Sequence, residues 1–445
     1  MTVKTLIFIA HLGSIAAVAQ SVSSISPNPA TADRIAVTIT RGEAEQASLK
    51  NNPRISAERL LALAERQTVR RERSAELPQI AGNLTAVKAE DASRVSAGQL
   101  NSSRLYSHAG AGGTLSQLIT DFGRTPSLVA TANLRTKARQ QGERATEQDV
   151  IFATDQAFYR LLSAQSLLEV ANQAVATRTN VRDVTSALTA SKLKSELDLN
   201  VAAADVSQAK LLLLDAENEV QSASASLAAL LAAPSDTNYK AVDDEISVAP
   251  PPPEISDTLE RNALSQRPDL LAARLDAQAE AKFAHAQSLQ HMPSINALVI
   301  GGVTPVRPDG VFPQNWYAAA GVNLSVPIFT GFRIRSEAKE ARLRAQAGEK
   351  QVANLSNGIA RDVRAATLGA QTAFQKIEVA EGYRAQTEQA LNLAKTRYQL
   401  GLSSIVELSQ AQLQSTQAAV AAVDARFGYR LALRSLDYAT GNIAP

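Results

Sequence analysis

Asp198 and Glu407 lie 209 residues apart, and each follows a short break between helical patterns, near Ser195 in the first case and at Gly401–Ser404 in the second. Both fall about one and a half turns beyond the break, where a carboxylate is favourable beside the free N–H groups of a helix start. Each is therefore either a solvated helix-terminal charge or a charge held for a function. Tyr398, just before the second break, has a hydroxyl that can bond across the turn or serve a core. Gly401 permits a positive φ there, and Leu402 is either an exposed apolar tip or the folded-back contact of a helix cap. Other chemistry lacks its constellation. His108, His285 and His291 show no metal-ligand spacing, the last two being six apart and off a single helix face. The run GAGG from Gly110 to Gly113 has no strand–turn–helix context for phosphate and reads as a glycine-rich strand. No nucleophile stands with a base. Without cysteine there is no thiolate, disulfide or acylated cysteine.

The elements that position these residues are written twice. LSQLITDFGR (115–124) faces LSVPIFTGFR (324–333) at the same interval of 209, as Lys192-Leu193 faces Gly401-Leu402. Pro53 and Pro78 face Pro268 and Pro293 at 215, and the six-residue change falls among strands and turns after Pro78. Length variation confined to turns indicates two copies of one supersecondary unit, 37–233 and 255–445, joined by a Pro-rich linker at 234–254. Each copy opens with two helices, 39–50 and 55–75 or 255–265 and 270–290, stopped near the prolines. Strands are expected at 80–87, 105–119, 295–303 and 316–328. In the last, Trp316, Ala318, Ala320, Val322 and Leu324 alternate with Tyr317, Ala319, Gly321, Asn323 and Ser325, one face apolar and the other small or polar. Phe312, Trp316, Tyr317, Phe329 and Phe332 crowd around this strand, as a membrane-interface girdle requires. Thr125 is the expected cap of a long helix with Pro126 at its first helical position. Residues 335–400 hold no proline and carry a 3/4-spaced stripe including Val352, Ile359, Ala370 and Tyr398. One helix of about 100 Å is allowed. A second helix returns from each break.

Composition narrows the class. Of 445 residues 45% are hydrophobic but only 4% aromatic, so the interior is narrow alanine seams. A net charge of +2 without a basic stripe argues against nucleic acid. Lys4, an apolar core and Ala17-Val18-Ala19 read as a signal peptide over 1–19, followed by an extended segment at 20–36. No mature apolar run reaches the length of a transmembrane helix. Four strands cannot close a barrel, and open sheet edges are not tolerated in lipid. Two chains would give a filled barrel, three a bore. The charged helices must then project into water.

These features resemble the TolC-like outer-membrane efflux proteins, the outer membrane factors. The likeness rests on the paired strand-to-helix signatures (Leu115, Ser116, Phe122, Gly123, Arg124; Leu324, Ser325, Pro327, Ile328, Gly331, Arg333), on RYQLGLSSIVEL (397–408) and on NALSQRPDL (262–270). It implies an α+β membrane protein: a tandem-repeat protomer contributing four strands to a trimeric twelve-stranded outer-membrane β-barrel, continued by a long periplasmic α-helical coiled-coil barrel. It implies a passive exit duct, not an enzyme, needing no cofactor. Its partners would be two further copies, outer-membrane lipid, a periplasmic adaptor and an inner-membrane transporter of RND, ABC or MFS type. In this reading Glu407, with Asp198 nearby, forms an acidic ring at the periplasmic aperture, Gln410 stands where a second ring is common, and Tyr398 closes the tip. Lys192, Leu193, Ser195, Gly401, Leu402 and Ser403 form the adaptor-docking tips. Lys192 departs from the glycine usual there. A structural or adhesive periplasmic coiled coil is the alternative, and it leaves the duplicated strands unexplained.

Overall fold

A computed structural model describes residues 37–89, 94–95, 103–104, 107–234, 236–243, 250–251, 257–306 and 314–443. The residues expected to form the signal peptide and the extended segment, much of the linker and Phe312 lie outside the described residues. In chain order the elements are β1 (Val37–Ile39), α1 (Arg41–Asn51), α2 (Pro53–Ser74), β2 (Gln79–Val87), β3 (Arg94–Val95), β4 (Ser103–Arg104), β5 (His108–Thr120), α3 (Arg124–Ala190) and α4 (Glu196–Leu230). There follow β6 (Tyr239–Ala241), α5 (Asp257–Gln266), α6 (Pro268–Ser288), β7 (Ser294–Val306), β8 (Trp316–Ser325), α7 (Arg333–Gln399) and α8 (Ile405–Thr440).

Local chemistry sets the boundaries. Thr40 and Glu43 close a capping box on α1, which therefore starts two residues later than expected and leaves Ile39 in a strand. Asn52 separates α1 from α2, capping the Arg54 N–H at 3.0 Å while its amide donates to the Leu230 carbonyl at the end of α4. Thr125 is not the cap of α3. The helix starts at Arg124, and the Thr125 N–H and hydroxyl instead donate to the Asp121 carboxylate at 2.7 and 2.6 Å. β8 stops at Ser325, short of Ile328, because Pro327 offers no N–H to a ladder. Part of the linker is more than a spacer: β6 pairs in parallel with β1.

α3 and α7 are each 67 residues long, about 100 Å at 1.5 Å per residue. Every positive-φ residue among those described has a counterpart 209 positions on: Phe122 and Gly331, Gly123 and Phe332, Lys192 and Gly401, Ala232 and Gly441. The long helices meet through alanine, with Ala132, Ala138, Ala171, Ala209, Ala223, Ala370 and Ala418 all buried. Threonine shares these seams. Thr136, Thr154, Thr185 and Thr367 are buried with each hydroxyl donating to the carbonyl four residues back, so a polar group enters the seam satisfied.

The waist joins first and last helices. Ile39, Ala44, Phe158, Leu161, Leu227, Ala241 and Phe427 form its core. Beside it Arg434 of α8 donates to Asp155 of α3 at 2.6 Å, to Glu45 of α1 at 3.1 Å and to Asp437 at 3.2 Å, while Arg41 also pairs with Glu45.

Candidate functional site

The sheet runs β2-β5-β7-β8, antiparallel throughout, and the chain leaves both outer edges, β2 and β8, without a partner among the described residues. Its register aligns Ile80, Leu115, Val299 and Ala320 in one row, so one face carries these with Leu84, Val303, Trp316, Val322 and Leu324. That face is open: Leu84 is 88% exposed and Ile80 78%. The opposite face is mostly small and polar, with Asn83, Thr114, Ser116, Asn296, Asn323 and Ser325. An apolar face of this extent with free edges is what a lipid-facing wall needs and what a water-soluble monomer avoids. The length fits too. β8 has 10 residues, and at about 3.3 Å per residue and a tilt near 40° it rises about 25 Å, the height of an outer-membrane apolar band.

The expected girdle residues separate on this sheet. Trp316 stands on the apolar face at the far end. Phe329, 76% exposed, packs edge-on against Phe332 at the helix end. Tyr317 is corrected: one residue along the pleat from Trp316, it lies on the polar face, its hydroxyl above Gly112 and Gly302. Phe122, Gly123 and Gly331, Phe332 make the left-handed bends that turn each strand course into α3 or α7, and this explains the paired signatures. Arg333 pairs with Glu337 one turn on.

Both helical tips use one turn. The Lys192 N–H donates to the Thr189 carbonyl and the Leu193 N–H to Leu188; Gly401 and Leu402 do the same to Tyr398 and Arg397. This is the Schellman closure, with Lys192 at φ 59 and Gly401 at φ 74. Lysine there bears a left-handed strain of about 1 kcal/mol that glycine avoids. Leu193 and Leu402 are 70% and 67% exposed, so neither folds back onto its helix. Ser403 is half-buried with its hydroxyl oxygen unpartnered.

Asp198 and Glu407 are equivalent in sequence and different in structure. Asp198 is spent on a capping box, accepting from the Ser195 N–H at 3.1 Å and its hydroxyl at 2.9 Å. At Glu407 only the N–H is used by the cap, donating to Ser404 at 3.2 Å. The Glu407 carboxylate turns to Arg397, 3.3 Å away, both side chains being about half exposed. The equivalent of Arg397 in the first half is Leu188, which offers no charge. Gln410 is exposed one turn further along α8. Tyr398 is a core residue whose hydroxyl also makes a contact between hairpins. It is buried among Val181, Ala202, Ala394, Ile405 and Leu408, drawn from all four long helices, and its hydroxyl lies 3.1 Å from that of Thr185 on the other hairpin. The Lys194 ammonium sits 4.3 Å above its ring. Burial pushes the phenol up, keeping it neutral. Lys194 and Thr185 carried no signal in sequence, because each acts between hairpins, and Arg397 lay in the tip motif without its pairing across the turn being legible.

Known proteins share these features. The sequence model of the family described as outer membrane efflux protein matches residues 45–233 and 259–442. Fusaric acid resistance protein FusA of Burkholderia cepacia is 25% identical over 63% of this chain, and the match spans only 53% of FusA. Outer membrane protein TolC of Vibrio cholerae is 26% identical over 89% of each chain. Among solved structures, the Campylobacter jejuni CmeC outer membrane channel superposes with a TM-score of 0.81 at 18% identity, over 90% of this chain and 85% of that one.

Proposed function

We propose, from the premise that this chain belongs to the outer membrane efflux protein family, that it is the passive exit duct of a tripartite export system. It is an outer-membrane protein extending into the periplasm. The observation that carries the duct reading is the four-stranded sheet with an open apolar face and two free edges, continuous with two hairpins of about 100 Å. Three protomers close twelve strands with the polar faces inward, and six hairpins continue the bore through the periplasm. The two halves of the chain act as repeats, each supplying two strands and one hairpin. The protein performs no catalysis. An inner-membrane transporter drives export, and a periplasmic adaptor joins it to the tips, where Leu193 and Leu402 present apolar side chains on tight turns.

The purified protein is expected to migrate as a heat-modifiable trimer in detergent and to conduct in planar bilayers. A non-conducting monomer would rule out the duct. Leu402→Asp is expected to abolish export while trimer and conductance persist; normal export would reduce the tip to a helix cap. Tyr398→Phe removes one hydroxyl contact between hairpins, worth about 1 kcal/mol. Large-conductance openings should become roughly five-fold more frequent if that contact holds the tip closed. An unchanged open probability would leave Tyr398 a core residue only.

A further inference from the structure

Tyr317, Gly302 and Gly112 lie in one row across three adjacent strands, Gly302 pairing with Tyr317 on one side and with Gly112 on the other. Strands are about 4.8 Å apart, so a tyrosine on β8 reaches β5 only by lying along the sheet. It does. A Cβ built on Gly112 would stand 2.4 Å from the Tyr317 hydroxyl oxygen; one on Gly302 would stand 2.5 Å from the Ala111 carbonyl oxygen of the next strand, 2.6 Å from the Tyr317 hydroxyl and 2.7 Å from Cζ. The crowding is local: Gly321, on the same strand and face, has open space where a Cβ would go. The two glycines are therefore a bed for the ring, and Tyr317 keeps its other ring face open at 46% exposure.

We infer that Tyr317, held flat on Gly112 and Gly302, sets the clear width of the barrel at its own level and thereby the size of what passes that level from the outer mouth. This rests on the duct reading, in which the polar face lines the bore. A standing tyrosine in each of three protomers would narrow the lumen by the length of its side chain, whereas a flat one costs it only the thickness of a ring. The glycine-rich run on β5 then has a purpose beyond strand packing. The absence of side chains at positions 112 and 302 lets the ring lie down.

The chain has no cysteine, so Asn323→Cys places a single thiol on the same face, nearer the helices, where a reagent entering from outside the cell must pass the ring. In intact cells Asn323→Cys should react with both a small and a bulky maleimide. Adding Gly112→Ala, which meets chiefly the hydroxyl end of the ring, should slow the bulky reagent about ten-fold and the small one less than about two-fold, as a narrowed pore lining would. Adding Tyr317→Ala should restore the rate, and Tyr317→Ala alone should change it little. Tyr317→Trp, whose larger ring overhangs the bed, should slow the bulky reagent if Gly112→Ala fails to assemble as a trimer. Equal rates in all variants would overturn the inference while leaving the duct intact. A thiol at 323 unreactive even to the small reagent would mean that this face lines no outward-open bore, and would overturn the duct reading itself.

Discussion

Above about pH 7, where Asp155 is ionised, Arg434→Leu should cost roughly 3–5 kcal/mol, the usual loss when one member of a buried ion cluster is removed and its partners are left charged. Asp155 is fully buried and the Glu45 side chain only 4% exposed. Their common cation is Arg434, which binds α1 and α3 to α8 at the waist. Arg41 and Arg434 face three carboxylates there, Glu45, Asp155 and Asp437. One retained proton balances the cluster. Asp155 holds it, pushed up to about 7, first by burial and next by its hydrogen bond with Glu45, against the opposing pull of Arg434. The double variant Arg434→Leu with Asp155→Leu should recover most of the loss, since Glu45 keeps Arg41. Thermal unfolding of the purified protein in detergent would read both, and an equal loss in the two variants would show that Arg434 acts by packing alone.

The same carboxyl gives stability a pH dependence of defined sign. The unfolded chain loses this proton above about pH 4, an aspartate's ordinary range, while the folded chain keeps it to about 7. Between those values the native state binds more protons, so stability falls as pH rises, by up to about 1.4 kcal/mol per unit. Asp155→Asn should flatten that slope.

How much of this could be read from sequence varied with the range of the interaction. Period two in Trp316–Ser325 and the proline-free 3/4 stripe through Ile359 and Tyr398 are local signals, and both gave elements close to those observed. Residues paired at an interval of 209 marked the turns, because a left-handed residue is required at each whatever its type. β1 and β6 carried no signal: three residues each, some 200 apart, they pair only because the waist brings them together. Arg434 reads in sequence as one more charge on a helix, and its meaning depends on two other helices. Tyr317 was legible and still misassigned. Alternation puts it opposite Trp316, but proximity in sequence groups it with the girdle rings. Asp198 and Glu407 show the remaining limit, since equal positions diverge once Leu188 replaces Arg397.

On the duct reading, Glu407→Gln should do more than remove a negative ring. With Arg397 3.3 Å away and both groups half exposed, each carboxylate is already largely matched. Such a pair is worth at most about 1 kcal/mol in water, so it holds loosely and weakens with salt. Three protomers therefore present three dipolar pairs around the tip, not three bare carboxylates, and Asp198 adds little because Ser195 holds it. The wild-type channel should prefer cations only weakly, and Gln410 leaves no second acidic ring to strengthen block by divalent ions. Removing the acid unmasks three guanidinium groups at a constriction, which should carry the preference past neutrality toward anions. Arg397→Gln should do the reverse, freeing Glu407 and raising cation preference by roughly five-fold, the factor that about 1 kcal/mol represents. Reversal potentials under a salt gradient separate the cases. Opposite shifts in Glu407→Gln and Arg397→Gln would place the pair in the conduction path. A shift in neither would place the selectivity-determining charge elsewhere along the bore, and a mere loss of cation preference in Glu407→Gln would mean that Arg397 points away from the ions.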